Sequence, residues 1–506
     1  MPLWNFVRRS FYQDSVTLMR LTRDLEGAAG VQRAAAMMGT PENKALLAAA
    51  GLLAADGEAA APGDLIVAVA ADSAAAARDA HHAVDAALAA ARSHGGATAT
   101  ARPRTLDGAL RTLPGANLAL VSVPGRYAGA EAMRCLAAGL HVMLFSDNVP
   151  VAVEVELKRT ALDRGLLMMG PDCGTAIIDG VPLGFANVVP RGRIGIAAAS
   201  GTGLQEVSSI IATLGEGVSQ AIGLGGRDLS DDVGGPMAER ALELLAADSG
   251  TTVICLIGKP PGTRTGQRLA ERVARLGKPC VVHFAGRSVD AKFRWAATTL
   301  EDAARAAVSL ARGAEPAAVE FTAPDEARRL ADTAARALAS SQRFVRGVYA
   351  GGTLAYEAIG ILTSRLSGVA PTVLGEGDAH RVVDLGEDRF TVGRPHPMLD
   401  GTLRREWIAR EAADPGTAVI LLDVVLGYGA HPDPAGEIAP AIRAAIDAAR
   451  SAGRALAVVT SVTGTDADPQ NRARQNAMLR DAGVVVMPSN AQAARLAALI
   501  AARVSR

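Results

Sequence analysis

The stretch Ile194-Gly-Ile-Ala-Ala-Ala-Ser-Gly-Thr-Gly-Leu-Gln-Glu206 reads as an apolar strand running into a turn of small residues and then a helix. The spacing predicts a strand over 194–199, a turn at Ser200-Gly201-Thr202 and a helix over 203–214. The first N–H groups of a helix lack intrahelical partners and lie at the positive end of its dipole. With two hydroxyls beside them they suit a phosphate or a carboxylate. Ordinary N-capping by Ser or Thr uses the same residues without a ligand, and the segment alone leaves both open.

A second copy favours the anion. Arg346-Gly-Val-Tyr-Ala-Gly-Gly-Thr-Leu-Ala-Tyr-Glu357 repeats the strand, the Gly-Thr turn and a glutamate four residues after the threonine. Thr202 with Glu206, and Thr353 with Glu357, stand one helical turn apart on one face. Apolar strands follow each copy at 253–257 and 419–422, then at 278–284 and 454–461, and alanine-rich helices close the pattern at 301–311 and 491–501. That order is one α/β domain duplicated in tandem.

At 506 residues the chain exceeds one ordinary core. Hydrophobic residues make up 49% and aromatic residues 3%, so small aliphatics do the packing. Lys+Arg 52 balances Asp+Glu 52, which leaves no basic excess for general nucleic-acid binding. Cys135, Cys173, Cys255 and Cys280 lack C-x-x-C spacing, which argues against a disulfide scaffold or a zinc ribbon, and no metal site is expected. Arg8-Arg9 is followed by no apolar run and no stretch reaches membrane-spanning length, the pattern of a soluble cytoplasmic protein with no membrane partner.

Along the chain, 4–12 mixes aromatics and valine as an edge strand does, and helical, alanine-rich sequence runs to about Asp56. An apolar strand is predicted over 64–69 and a helix over 72–92, where the adjacent His81 and His82 point to different sides and do not share a metal. The stretch 93–115, with Gly95-Gly96, reads as a connection. Strand 117–123, turn Pro124-Gly125-Arg126-Tyr127, helix 130–138 and strand 141–145 form a βαβ unit without G-x-G-x-x-G, so no dinucleotide is indicated. A hairpin-like stretch over 176–189 leads back to the opening strand. These signals divide the chain into an N-terminal α/β segment (1–60), a Rossmann-like domain (61–190), a first flavodoxin-like domain (191–315) and a second (316–506) with an inserted loop at 371–405. That loop holds Gly375-Glu-Gly-Asp-Ala-His380 and Gly393-Arg-Pro-His-Pro-Met-Leu-Asp400. Arg394 and His396 there suit a carboxylate or a polarised carbonyl; an internal pair of Arg394 with Asp400 is the alternative.

Gly170-Pro-Asp-Cys-Gly-Thr175, then 193–206, then Gly223-Leu-Gly-Gly-Arg-Asp228 resemble the succinyl-CoA synthetase α-subunit pattern. Tyr12-Gln-Asp-Ser-Val-Thr-Leu-Met19, Val123-Pro-Gly-Arg-Tyr127, Phe145-Ser-Asp-Asn148 and Gly393-Arg-Pro-His-Pro-Met398 resemble the FdrA family of acyl-CoA-synthetase-like proteins, over nearly the whole chain. The resemblance implies a CoA-binding-type Rossmann domain followed by two tandem flavodoxin-like CoA-ligase domains. The synthetases carry a phosphorylated histidine in a Gly-His-Ala-Gly motif; the matching stretch here, Asp290-Ala-Lys-Phe-Arg-Trp-Ala-Ala-Thr-Thr299, has none, and His283 sits on the preceding strand.

FdrA-type proteins are associated with an oxamate carbamoyltransferase of purine and allantoin catabolism that works with two unrelated subunits. The resemblance therefore implies interconversion of oxalurate plus phosphate with oxamate plus carbamoyl phosphate, in a hetero-oligomer. On that reading Ser200-Gly201-Thr202 and Gly351-Gly352-Thr353 bind phosphate or the oxalyl carboxylate. Arg394 and His396 orient the substrate and stabilise the oxyanion. Gly226-Arg227 closes over the anion, with an exposed turn arginine as the alternative. Cys173, after a strand at a Gly-Pro turn, is the candidate nucleophile, although no histidine base is placed near it. No cofactor is required by these residues; the resemblance allows CoA at Val123-Pro124-Gly125. An acyl-CoA ligase or transferase subunit and a non-catalytic scaffold are the rival readings.

Overall fold

A computed structural model describes residues 2–13, 15–93, 103–285, 292–391 and 394–504. The chain forms two compact units: Met1–Ala116 with Glu387–Asp400, and Asn117–Gly386 with Gly401–Arg506.

In the first unit an antiparallel sheet has Leu65–Ala71 at its centre, flanked by Leu3–Arg8 and Val31–Met38. Side chains alternate across a strand. Leu65, Val67, Val69 and Ala71 therefore meet Leu18, Leu21 and Leu25 of the helix Ser15–Glu26, while Ile66, Ala68 and Ala70 meet Leu47 and Leu52 on the other face. The expected boundary at 60/61 does not fall there. A strand buried on both faces reads like one from a parallel sheet, which is why the sequence places it in the Rossmann-like domain. The alanine-rich run before it is likewise not all helix: Ala34-Ala35-Ala36 lie in the strand Val31–Met38, where burial outweighs alanine's helix propensity. Within the expected connection 93–115, Leu106–Thr112 is a helix whose N-cap Thr105 accepts from the Gly108 N–H; Gly95-Gly96 lie outside the described residues.

The second unit opens with a parallel three-stranded sheet, Leu118–Val121, His141–Leu144 and Met168–Met169, linked through the helices Gly125–Ala137 and Val151–Asp163. A hairpin, Thr175–Ile178 with Val181–Gly184, follows on an Asp179-Gly180 turn with φ of 52° and 81°, the backbone such two-residue turns demand. The hairpin extends a sheet whose parallel strands, Arg191–Ala199, Val218–Gly223, Val253–Gly258, Cys280–Phe284 and Trp295–Ala296, have spatial order 2-1-3-4-5. The third sheet, Phe344–Tyr349, Arg381–Asp384, Thr417–Val425, Ala457–Thr463 and Val485–Met487, has the same order. This is the flavodoxin-like winding twice over, as the repeat predicts. The second strand of each sheet escapes the sequence reading, because Val218–Gly223 carries Ser219 and Gln220 and Arg381–Asp384 is only four residues long. The region 371–405 is therefore not one inserted loop: it contains that strand, and its part 387–400 belongs to the first unit.

The Rossmann-like and first flavodoxin-like sheets are joined by a buried charge cluster. Lys158 is fully buried and donates to Glu154 at 2.8 Å, to Asp228 at 2.7 Å and to the Leu224 carbonyl at 3.1 Å. Asp228 also accepts the Ala238 N–H at the start of the helix Pro236–Ala247. Removing one member of a buried ion cluster leaves its partners unpaired. Lys158→Met should therefore destabilise the protein by about 3–5 kcal/mol, read as a fall in the denaturant midpoint.

Candidate functional site

The two glycine-threonine turns face each other. Ser200 caps the helix Gly201–Thr213, its Oγ accepting from the Gly203 N–H at 2.9 Å, and lies 2.6 Å from Thr353 Oγ1 in the first turn of the helix Gly352–Thr363. A side chain at Gly351 would begin 3.1 Å from Thr202 Cγ2 and 3.0 Å from Asp423 Oδ2, so glycine there allows the close approach. Both turns leave the first strand of a 2-1-3-4-5 sheet at its carboxyl end, beside the third strand, where doubly wound sheets bind ligands. In the first sheet Ala199 pairs with Gly258, and the next residue, Lys259, is exposed with its ammonium 5.4 Å from the centre of the Tyr356 ring. Among the described residues Lys259 has no carboxylate partner.

The turns differ electrostatically. By register, Asp384 and Asp423 of the second sheet stand where the first has Gly223 and Ile257. Asp423 is fully buried, accepts the N–H groups of Ala350 at 2.9 Å and Gly351 at 2.8 Å, and pairs with Arg404. Asp384 Oδ2 is 2.6 Å from the place of a side chain at Gly352. The Gly351 amide is thus already engaged by an internal carboxylate, with a second beside Gly352, which corrects the expectation of two equivalent anion turns. What remains for an anion is Gly201 and Thr202, the Ser200 and Thr353 hydroxyls, and Lys259.

The paired glutamates serve the fold. Glu206 accepts the Asn490 N–H at 3.0 Å and the Thr463 hydroxyl; Glu357 accepts the Leu300 N–H at 2.6 Å and the Asn490 side-chain amide at 2.7 Å. Each reaches across to cap the last helix of the other repeat, Asn490–Val504 or Leu300–Ala311. Burial raises both pKa values, that of Glu357 to about 8, with the Glu206 charge adding to the shift.

The other expected site residues fare as follows. Cys173 is buried, its Sγ 3.7 Å from the Thr175 carbonyl and 2.4 Å from the place of a side chain at Gly223; burial pushes its thiol up to about 12. A protonated, packed thiol is not a nucleophile, and that expectation is corrected. Arg227 is committed to Glu154 at 2.9 Å and to the Val149 carbonyl at 2.7 Å, and Gly226 faces the Asp172 carboxylate, so this loop braces the structure rather than closing over an anion. At Val123-Pro124-Gly125 the Val123 N–H donates to Ser146 Oγ, Gly125 lies against the Asp147 carbonyl, and the helix Gly125–Ala137 starts without a side-chain cap. Arg394 and His396 belong to the first unit, not to the unit of the paired turns. His396 Nδ1 accepts from the Met398 N–H, and burial pushes its pKa down to about 4, so the imidazole is neutral at pH 7. His283 is buried with Nδ1 3.1 Å from the Ala297 carbonyl, a packed strand residue whose pKa is lowered by desolvation. Asp290 and Ala291 lie outside the described residues.

Sequence reasoning missed Lys259, Asp384 and Asp423. The available signal for Lys259 was its place between an apolar strand and Pro260-Pro261, at the end of the strand that lies directly beside the turn strand in the first sheet.

An α/β chain with paired turns at the switch points of two flavodoxin-like sheets is a CoA-ligase-type architecture, and a CoA-ligase family model matches residues 348–500. A second model, "AllF, heavy metal-associated domain", matches residues 1–103. The chain belongs to the CoA-ligase family, in the group that includes the Escherichia coli "Uncharacterized protein YahF", to which it is 39% identical over 504 residues covering 97% of each chain. It is 29% identical over 175 residues to "Succinate--CoA ligase [ADP-forming] subunit alpha 2" of Archaeoglobus fulgidus, covering 34% of this chain and 59% of that one. A solved "dinucleotide forming Acetyl-coenzyme A synthetase 1" of Ca. Korarchaeum cryptofilum matches 77% of this chain and 84% of its own at 18% identity and a TM-score of 0.30. No helix of the described residues is long and apolar enough to cross a membrane.

Two measurements check the buried groups. Because the folded-state pKa of Glu357 exceeds its unfolded value of 4.5, its contribution to stability is complete below about pH 4.5 and is lost as pH rises towards about 8. Denaturant midpoints should fall over that window, and Glu357→Gln should flatten the fall. Iodoacetamide at pH 7.5 should leave Cys173 unmodified in the native protein and label it after unfolding, as peptide mass spectrometry would show.

Proposed function

We propose that the chain is a subunit of a carbamoyltransferase that interconverts oxalurate plus phosphate with oxamate plus carbamoyl phosphate. The observation that carries this reading is a helix-start turn beside a lysine that has no carboxylate partner among the described residues, in a chain whose stretch 290–299 contains no histidine to carry a phosphoryl group. The match of residues 1–103 to the AllF model supports the allantoin context.

Inorganic phosphate would be held by the first amides of the helix Gly201–Thr213, the hydroxyls of Ser200, Thr202 and Thr353, and Lys259. A phosphate oxygen attacks the carbamoyl carbon of oxalurate, the C–N bond to the oxalyl amide breaks, and that nitrogen takes a proton to leave as oxamate. Asp423, from the strand Thr417–Val425, keeps the anion on the first turn, because it already accepts the Ala350 and Gly351 N–H groups of the second. Arg394, His396 and Cys173 take no step in this scheme. The two further subunits implied by the family are the other partners.

Match to the CoA-ligase model favours a second reading, an acyl-CoA ligase or transferase subunit, with CoA at the uncapped start of the helix Gly125–Ala137. Phosphate-dependent cleavage of oxalurate, followed as carbamoyl phosphate in the reconstituted set of subunits, separates the two. Thr202→Ala should lower kcat/KM roughly 10–100-fold, the loss of a hydrogen bond to a charged group, and Lys259→Ala should raise KM for phosphate by a similar factor. Thr353→Ala should have the smaller effect, since its hydroxyl is already paired with Ser200 Oγ. Absence of oxalurate cleavage together with saturable CoA binding would overturn the carbamoyltransferase reading in favour of the second.

A further inference from the structure

Residues 1–103 match a heavy-metal-associated model, so the donors they offer can be set against what such a metal needs. Soft metals are taken by thiolates and thioethers, and zinc by thiolates and imidazoles in tetrahedral sets. The segment contains no cysteine; the first in the chain is Cys135. Its methionines include the neighbours Met37 and Met38, which pack into clusters on opposite faces of the sheet and cannot share a ligand. Its histidines are His81, His82 and His94, the last outside the described residues.

His81 lies flat on the Phe6 ring, with centroids 4.2 Å apart and planes at 1°, and its Nδ1 is 4.0 Å from Asp85 Oδ1. Asp85 is in turn ion-paired with Arg8. The His82 ring is 6.2 Å from that of His81. Among the described residues of the segment, the place where an imidazole and a carboxylate approach each other therefore already holds a permanent cation, the Arg8 guanidinium, which also stands 5.1 Å from the Phe11 ring centre. Among the described residues no three of His, Cys, Asp and Glu converge on a point. The sheet, meanwhile, is held by an apolar core on each face, with Leu18, Leu21, Leu25, Val67 and Val69 on one side and Leu47, Leu52, Ile66 and Ala68 on the other, and needs no ion to close it.

We infer that the N-terminal unit is a metal-free version of the heavy-metal-associated fold, in which the Arg8 guanidinium fills the polar corner between His81 and Asp85 and an apolar core holds the sheet. The donor set does not fit a heavy metal, and the unit's contribution to the protein is not metal loading.

The test uses the full chain. Equilibrium dialysis against zinc and against copper(I), with bound metal quantified by mass spectrometry, should find no stoichiometric metal that depends on residues 1–103, and a chelator should leave Tm unchanged. Stoichiometric metal that is lost in His81→Ala, His82→Ala, His94→Ala or the Met37→Leu/Met38→Leu variant would overturn the inference, as would a fall in Tm with chelator that returning the metal reverses in the parent chain but not in those variants. Metal retained by every one of these variants and lost in His396→Ala would also overturn the inference, because His396 belongs to the same unit, whereas metal retained by all of them including His396→Ala is held by the other unit and leaves the inference standing. Circular dichroism of each variant distinguishes loss of a ligand from loss of the fold.

Discussion

Two buried glutamates hold the duplicated half of this protein together. Glu206 and Glu357 each extend from the first helix of one repeat to the exposed backbone at the start of the other repeat's last helix, and both meet at Asn490. A helix start leaves N–H groups that must find acceptors, and a buried carboxylate must find donors. That need is met across the repeats, so neither repeat satisfies its own glutamate alone. The Ser200–Thr353 contact follows from that exchange: once the helices are tied in this way, their starting turns meet.

The same pairing makes the site asymmetric. Duplication produced two turns with the same Gly-Thr pattern, but the second sheet places Asp384 and Asp423 at the ends of the strands flanking its turn, where the first sheet has Gly223 and Ile257. One turn is thereby closed by an internal anion while the other keeps its amides beside Lys259. On the proposed function, an anion at the junction would meet one receptive wall and one acidic wall. The loop at Arg227, in turn, contributes to rigidity through Glu154 and the buried Lys158 cluster.

The doubly wound architecture, the tandem repeat, a hairpin-like stretch over 176–189 and the small-residue turn and helix start at Ser200-Gly201-Thr202 were legible in the sequence. Each is written in local chemistry: the period of apolar residues, a glycine or small residue where a turn needs one, a hydroxyl at a helix start. What was not legible has a common cause. Leu65–Ala71 resembles a parallel strand because it is buried on both faces, and only its pairing with Leu3–Arg8 and Val31–Met38 reveals its sheet. Cys173 stands in a promising motif, yet its reactivity depends on what packs around it.

By itself the sequence determined the class of fold, the duplication and the residue types available at the first turn, because those depend on neighbours along the chain. Tertiary structure alone decided that the two turns face each other and that Asp423 occupies the second. It also decided that Lys259 stands beside the first turn and that Arg227 and Cys173 are structural. These outcomes rest on burial and on partners far apart in sequence, and charge, desolvation and hydrogen bonding act on distance in space. A carboxylate becomes a plug, a cap or a repelling wall according to which donors the fold brings within 3 Å of it, and no local pattern records that.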